Sequence, residues 1–298
     1  MHEHSHAPAN FGRAFAIGVT LNLAFVILEV IYGRLSNSLA LVADAGHNLG
    51  DVLGLALAWG AMLLAKRSPT AKRTYGFRRS SILAALANAV VLLVGVGAIA
   101  WEAVMRLRNP SAVTETTVIW VSALGILINA GTALLFMSGR KGDINIRGAF
   151  VHLMADAVVA LGVVLTGVAM LYTGLVWLDS AVSLVIAVVI VYGTWGLLRD
   201  SVNLALDAVP EGIDIDAIKQ YLADLPTCFD VHDLHIWGMS ATETALTAHI
   251  VMKEKICDDA MLAKTADELH HKFGIEHTTL QVEFGDPNFP CRCNLVKI

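Results

Sequence analysis

The stretch LALVADAGHNLGDVLGLALAWGAMLLA, Leu39–Ala65, runs without a single lysine or arginine. A hydrocarbon core about 30 Å thick needs roughly 20 apolar residues in helical form, so this run is long enough to cross a membrane. It nevertheless carries His47 and Asp51 near its middle. A spacing of four puts both on one helix face, one turn apart. An aspartate at mid-bilayer costs about 2.5–3.5 kcal/mol on insertion scales. Such a residue is retained where a cation or a proton compensates it.

The same spacing recurs once. The apolar run 148–172 contains VHLMAD, with His152 four residues before Asp156. One histidine or aspartate in a membrane helix is commonly a helix–helix hydrogen bond, but two copies of the pair on two apolar helices are poorly explained that way. Two imidazoles and two carboxylates make a four-ligand tetrahedral set suited to zinc. Asp44 lies three residues before His47, either as part of an ion path or simply near a helix end. Glu29 and Glu102 read as interfacial residues near outer helix ends, and Asn22, Asn88 and Asn129 as interhelical hydrogen-bonding groups. Gly46, Gly50, Gly54 and Gly162 allow close helix packing.

Outward from these runs, the chain of 298 residues is 56% hydrophobic and only 16% charged, against about a quarter charged in soluble domains. Six apolar stretches reach spanning length: 14–33, Leu39–Ala65, 81–104, 117–137, 148–172 and 176–198. Basic residues orient them. With both termini inside, the inner segments hold eleven cations, including Lys66, Arg67, Lys72, Arg73, Arg78 and Arg79, and the outer loops hold three, Arg34, Arg106 and Arg108. Both termini are therefore expected in the cytoplasm of a multi-pass protein of the inner (plasma) membrane. The N-terminal MHEHSHAPANFGR does not read as a signal peptide. A net charge of −5 offers no basic stripe for nucleic acid.

Beyond Arg199 the pattern changes. IDAIKQYLADL has helical spacing, CFDVHDLHIWGM and ETALTAHIVM read as strands, and DDAMLAKTADELHHKF is a helix opened by Asp258 or Asp259. HTTLQVEF is a last strand. Helix, two strands, helix and strand predict a small α+β sandwich, whose core is small enough that a dimer partner would support it. The fold class is thus an α-helical membrane protein of six transmembrane helices with a C-terminal cytosolic α+β domain. The expected divisions are a His-rich tail over 1–12, a transmembrane domain over 13–208, and a metal-sensing, dimerising domain with its Cys-containing tail over 209–298. All four cysteines, Cys228, Cys257, Cys291 and Cys293, fall in that last part. In the cytosol they are expected as reduced thiols or metal ligands. His232 and His235, three apart on one strand, project to opposite faces and share no ion unless the strand bends.

Taken in order, SLALVADAGHNLGD, the YGFRR to LAA stretch at 75–85, VHLMAD and VHDLHIW at 231–237 resemble the cation diffusion facilitator family, in its bacterial zinc-exporter branch. The resemblance covers nearly the whole chain. It implies a homodimeric, proton-coupled antiporter with a ferredoxin-like cytosolic domain, and a transport site at His47, Asp51, His152 and Asp156. Histidine at the first of these positions is similar to the zinc-preferring version. It also implies a cytosolic metal site at His232, His249 and Glu283, with His277 or Glu276 as an addition. Arg79 and Asp207 loosely match a charge pair that links the third and sixth helices across the dimer in relatives. The loop between spans four and five, SGRKGDINIR, lacks the histidines that many eukaryotic members carry, so no loop reservoir of metal is expected. At the two ends of the chain, His4 and His6 and the pair Cys291 and Cys293 form short metal-prone clusters that could meet.

The expected function is proton-coupled export of Zn2+ from the cytoplasm by alternating access, with Cd2+, Co2+ or Ni2+ compatible with the same donors. Zn2+ is both substrate and regulatory ligand, protons are the counter-ion, lipid is the surroundings, and nucleic acid is no partner. A metal-responsive membrane sensor that moves nothing is the alternative. A zinc enzyme needs an open coordination position and a general base, as in HExxH. Here the two carboxylates close the set, so no enzyme is expected.

Overall fold

The computed structural model describes residues 11–137, 144–253 and 258–284. Six long helices come first: α1 (Phe11–Leu35), α2 (Leu39–Ala65), α3 (Ser80–Arg108), α4 (Glu115–Phe136), α5 (Ile144–Thr173) and α6 (Trp177–Ala205). Each contains a stretch long and apolar enough to cross a membrane. They are followed by α7 (Ile215–Ala223), β1 (Cys228–Gly238), β2 (Thr244–Met252), α8 (Asp259–Phe273) and β3 (His277–Glu283).

The long helices leave large apolar side chains bare. Trp101, Trp120 and Tyr172 are 70%, 76% and 84% exposed, an arrangement stable only where the surroundings are apolar. Tyr32, Trp101, Trp120, Tyr172 and Trp177 sit at helix ends that chain alternation brings to one side, as an aromatic belt does at a membrane interface. On that side the start of α2 is fixed to α6. The Ser38 hydroxyl donates to Asp179 Oδ1 at 2.5 Å and the Leu39 amide donates to Oδ2 at 2.7 Å. Asp179 thereby satisfies backbone donors that a helix start leaves open and sets the axis along which His47 and Asp51 follow.

The chain divides into two compact units, the described residues of one falling within 11–56 and 87–196 and those of the other within 57–86 and 197–284. In the first, a core of Leu41, Val96, Val118, Val163, Met170 and Ile186 fills the half of the helices near Asp179. There α1 and α4 approach closely: a Cβ on Gly125 would stand 2.6 Å from the Phe25 ring. Gly50 meets Leu92 and Gly54 meets Asn88 in the same manner, whereas Gly162 has nothing within 4 Å and no packing role of the kind expected for it.

In the second unit the strands lie in the order β1-β2-β3, with β1 antiparallel and β2 parallel to its neighbour. Leu246, Ala248, Ile250 and Met252 alternate along β2 into a core shared with Ile218 and Leu222 of α7 and Leu269 of α8. The sequence of elements is that of a ferredoxin-like domain entered at its first helix, with β2 and β3 direct parallel neighbours. Asp214 and Asp258 cap α7 and α8, accepting from Ala217 N and Met261 N at 3.0 and 2.8 Å. The other face of the sheet carries His249 and the groups around it.

Candidate metal centres

On α2 and α5 the two His–Asp turns face each other and pair crosswise. His47 Nε2 lies 3.4 Å from Asp156 Oδ1, and His152 Nε2 lies 3.2 Å from Asp51 Oδ2 and 3.6 Å from Asp156 Oδ2. The two imidazoles stand edge to face, with centroids 6.1 Å apart. A tetrahedron of zinc–ligand bonds near 2.0–2.1 Å has an edge of about 3.3 Å, so each of these pairings has the length of one such edge, and His47 joins the group through Asp156. Asp51, His152 and Asp156 each offer a ligand atom within 4.8 Å of the others. Helix rigidity holds each pair, while the crosswise contacts tie one helix to the other.

Asp51, His152 and Asp156 line a cavity of about 470 Å³. Its other walls include Gly18, Gly54, Asn88, Thr132 and Gly148. These belong to the N-terminal parts of α1, α3 and α5 and the C-terminal parts of α2 and α4. The cavity therefore lies on the side of the tetrad away from Asp179 and the packed core.

Two carboxyls lie next to this site: Glu29, expected from the sequence at the interface, and Asp44, expected either on an ion path or near a helix end. Glu29 is 0% exposed and Asp44 1%. Asn48 Nδ2 donates to Glu29 Oε2 at 3.1 Å, and both Asp44 oxygens are buried. The interfacial placement of Glu29 is thus corrected. Its spacing of seven from Asn22 puts both on one helix face, and that spacing was the available signal. Glu102 does lie exposed, bonded to Arg106 at 2.9 Å. Arg79 and Asp207 pair within one chain.

On the sheet, His249 Nδ1 lies 2.8 Å from Glu283 Oε1 and His232 Nε2 lies 3.7 Å from Glu283 Oε2. The two rings are 5.3 Å apart, and the three residues offer ligand atoms within 4.8 Å of one another. The expectation that His232 and His235 face oppositely is overturned. His232 pairs with His249 but His235 with Thr247, so one extra residue is inserted between them. A bulge of this kind flips the alternation, and both histidines face the same side. Asp233 takes up the irregularity at φ 50°. Its carboxylate reaches His235 Nε2 at 3.1 Å and His249 Nε2 at 3.5 Å. Asp230 lies 3.3 Å from His232 Nδ1.

His277 stands apart. It opens β3 and Glu283 closes it, a separation of about 20 Å at 3.3 Å per residue, and its ring faces Tyr75 at 5.8 Å. Glu276 instead accepts from the Thr244 amide at 2.6 Å. Burial pushes the Cys228 thiol up from its ordinary value, which disfavours the thiolate a metal would need. His4, His6, Cys257, Cys291 and Cys293 lie outside the described residues.

A polytopic membrane protein with paired His–Asp turns between two of its helices defines a class of ion-handling membrane proteins. The comparisons agree. The family description "Cation efflux transmembrane domain" matches residues 15–204, and "Cation efflux protein, cytoplasmic domain" matches residues 210–284. The chain belongs to the cation efflux family. It is 34% identical over 291 residues to the metal cation efflux system protein CzcD of Cupriavidus metallidurans, covering 97% of this chain and 90% of that one. It is 32% identical over 285 residues to a cadmium, cobalt and zinc/H(+)-K(+) antiporter of Bacillus subtilis, covering 94% and 91%. With the zinc transporter ZitB of Escherichia coli it shares 32% over 303 residues, 98% and 96% of the two chains.

Proposed function

We propose that this protein exports Zn2+ from the cytoplasm in exchange for protons, with His47, Asp51, His152 and Asp156 as the transport site. The observation that carries the reading is the crosswise pairing of the two turns at 3.2 and 3.4 Å beside a cavity. The excess of cations in the loops on the cavity's side makes that side cytoplasmic, so the chain is in its inward-facing form. Zinc enters the cavity, meets the tetrad, and leaves outward once α2 and α5 rearrange. This requires the packed core near Asp179 to open as the inner cavity closes.

Charge balance gives the route to antiport. Two imidazolium–carboxylate pairs are neutral in sum, and so is Zn2+ held by two neutral imidazoles and two carboxylates. Exchanging one zinc for two protons leaves the net charge of the tetrad unchanged in a region where net charge is costly. Metal and proton compete for the same atoms, which links their movements. His232, His249 and Glu283 form a second, cytosolic zinc site in the domain over 209–298, which joins two copies of the chain. Zinc shifts that dimer only as far as it binds one arrangement better than the other.

The test is metal flux into proteoliposomes containing a proton-sensitive dye, run with Zn2+, Cd2+, Co2+ and Ni2+. Wild-type protein should move zinc and protons in opposite directions, and Asp51→Ala should abolish both while keeping the wild-type thermal transition. Undiminished flux in Asp51→Ala would remove the tetrad as the transport site.

A further inference from the structure

The loop from α2 to α3 reads KRSPTAKRTYGFRR and carries six cations over 66–79 with no acid among them. Charge asymmetry explains why such a loop stays inside, but it does not explain why this one is built into a cavity. Thr70 and Arg73 exchange both backbone hydrogen bonds at 3.0 Å, and the Thr70 hydroxyl accepts again from the Arg73 amide at 3.2 Å. Gly76, at φ 69°, turns the chain back towards α3. The result is a cavity of about 390 Å³ lined by Lys72, Arg73, Arg78, Arg79, Tyr75 and Trp237.

The four cations are not equivalent. Arg78 is held by Glu243 at 3.0 Å and Arg79 by Asp207. Lys72 and Arg73 have no carboxylate partner among the described residues, and the Arg73 guanidinium lies over the Phe77 ring at 4.6 Å. Two uncompensated cations in a preformed cleft fit a phosphate group. The cleft sits where two membrane-crossing helices end, at headgroup depth. Tyr75 and Trp237 suit that depth, each with an apolar body and a polar tip. On the helix ends that flank this loop in the chain, Met62 and Leu63 of α2 and Leu83 of α3 are 50%, 44% and 59% exposed, apolar surface along which an acyl chain can run.

We infer that this pocket binds the phosphodiester headgroup of an anionic phospholipid, with Lys72 and Arg73 supplying the charge and the paired arginines its rim. The inference rests on the membrane reading of α2 and α3 and is independent of which ion the tetrad carries, so binding is read without any flux.

The experiment is native mass spectrometry of the intact, detergent-solubilised chain titrated with phosphatidylglycerol or phosphatidylcholine. Wild-type protein should retain phosphatidylglycerol in preference. Lys72→Gln with Arg73→Gln should weaken that retention about thirtyfold. Lys66→Gln with Arg67→Gln removes the same charge from the same loop outside the cavity and should weaken it less than about threefold. Equal losses in the two double variants, or no loss in either, would overturn the pocket. Wild-type protein that does not prefer the anionic lipid would do so without recourse to variants. Displacement of the lipid by inorganic phosphate at matching concentration would replace the lipid with a soluble anion and overturn the assignment as stated.

Discussion

The tetrad between α2 and α5 and the cluster on the sheet use the same chemistry, imidazole and carboxylate, on different supports. In the tetrad each half rides on its own helix, and the halves are linked by side-chain contacts at 3.2 and 3.4 Å. On the sheet, His232, His249 and Glu283 stand on three strands tied by backbone hydrogen bonds. The halves of the first site can part without breaking secondary structure, whereas the donors of the second cannot separate unless the ladder breaks. A donor set shared by two movable helices suits a passing ion. One set on a hydrogen-bonded sheet suits an ion that stays.

The sharpest way to break this comparison is Asp156→Ala. Its carboxylate lies 3.4 and 3.6 Å from the two imidazoles, so its loss should reduce zinc flux in proteoliposomes at least about a hundredfold. His249→Ala should behave in the opposite way. Placed in an Asp51→Ala background and measured by calorimetry on the intact chain, it should lower the remaining zinc affinity about a hundredfold. As a single change at saturating metal it should alter flux only a few-fold. Equal damage to flux from both variants would mean that the sheet site is part of the path.

Asp233→Gly sharpens the same contrast. Glycine adopts the φ of 50° without strain, so the bulge should survive while its carboxylate is lost. Zinc affinity of the sheet site should fall about tenfold with no change in thermal unfolding. The smallest effect is expected of Asp258→Ala, which removes the side chain that caps α8 at 2.8 Å from Met261 N. It should cost about 1 kcal/mol in the C-terminal domain, seen as a lower midpoint in denaturant, and leave flux in vesicles unaltered.

The six spans were readable because spanning length and apolar composition are properties of a local run, and α2 was bounded to the residue. The two His–Asp turns were readable for a related reason: a spacing of four has one meaning on a helix. Glu29 was misplaced because nearness to a helix end in sequence says nothing about which neighbour meets it, and it is buried with Asn48 of α2 bonded to it. The bulge at Asp233 was invisible for a comparable reason. One inserted residue reverses the alternation of a strand, and only the partner strand reveals the insertion.

From its residues alone the chain declares membrane helices, the two facing-ready ligand pairs, and the helix–strand order of the last domain. All three depend on interactions within one element, where periodicity is set by backbone geometry. Packing between elements decided the rest: the crosswise contact of His47 with Asp156 and His152 with Asp51, the cavity on one side of them, and the histidines brought to one face of the sheet. The crosswise contacts join residues more than a hundred positions apart in the chain, and no local pattern specifies which partner such a side chain meets.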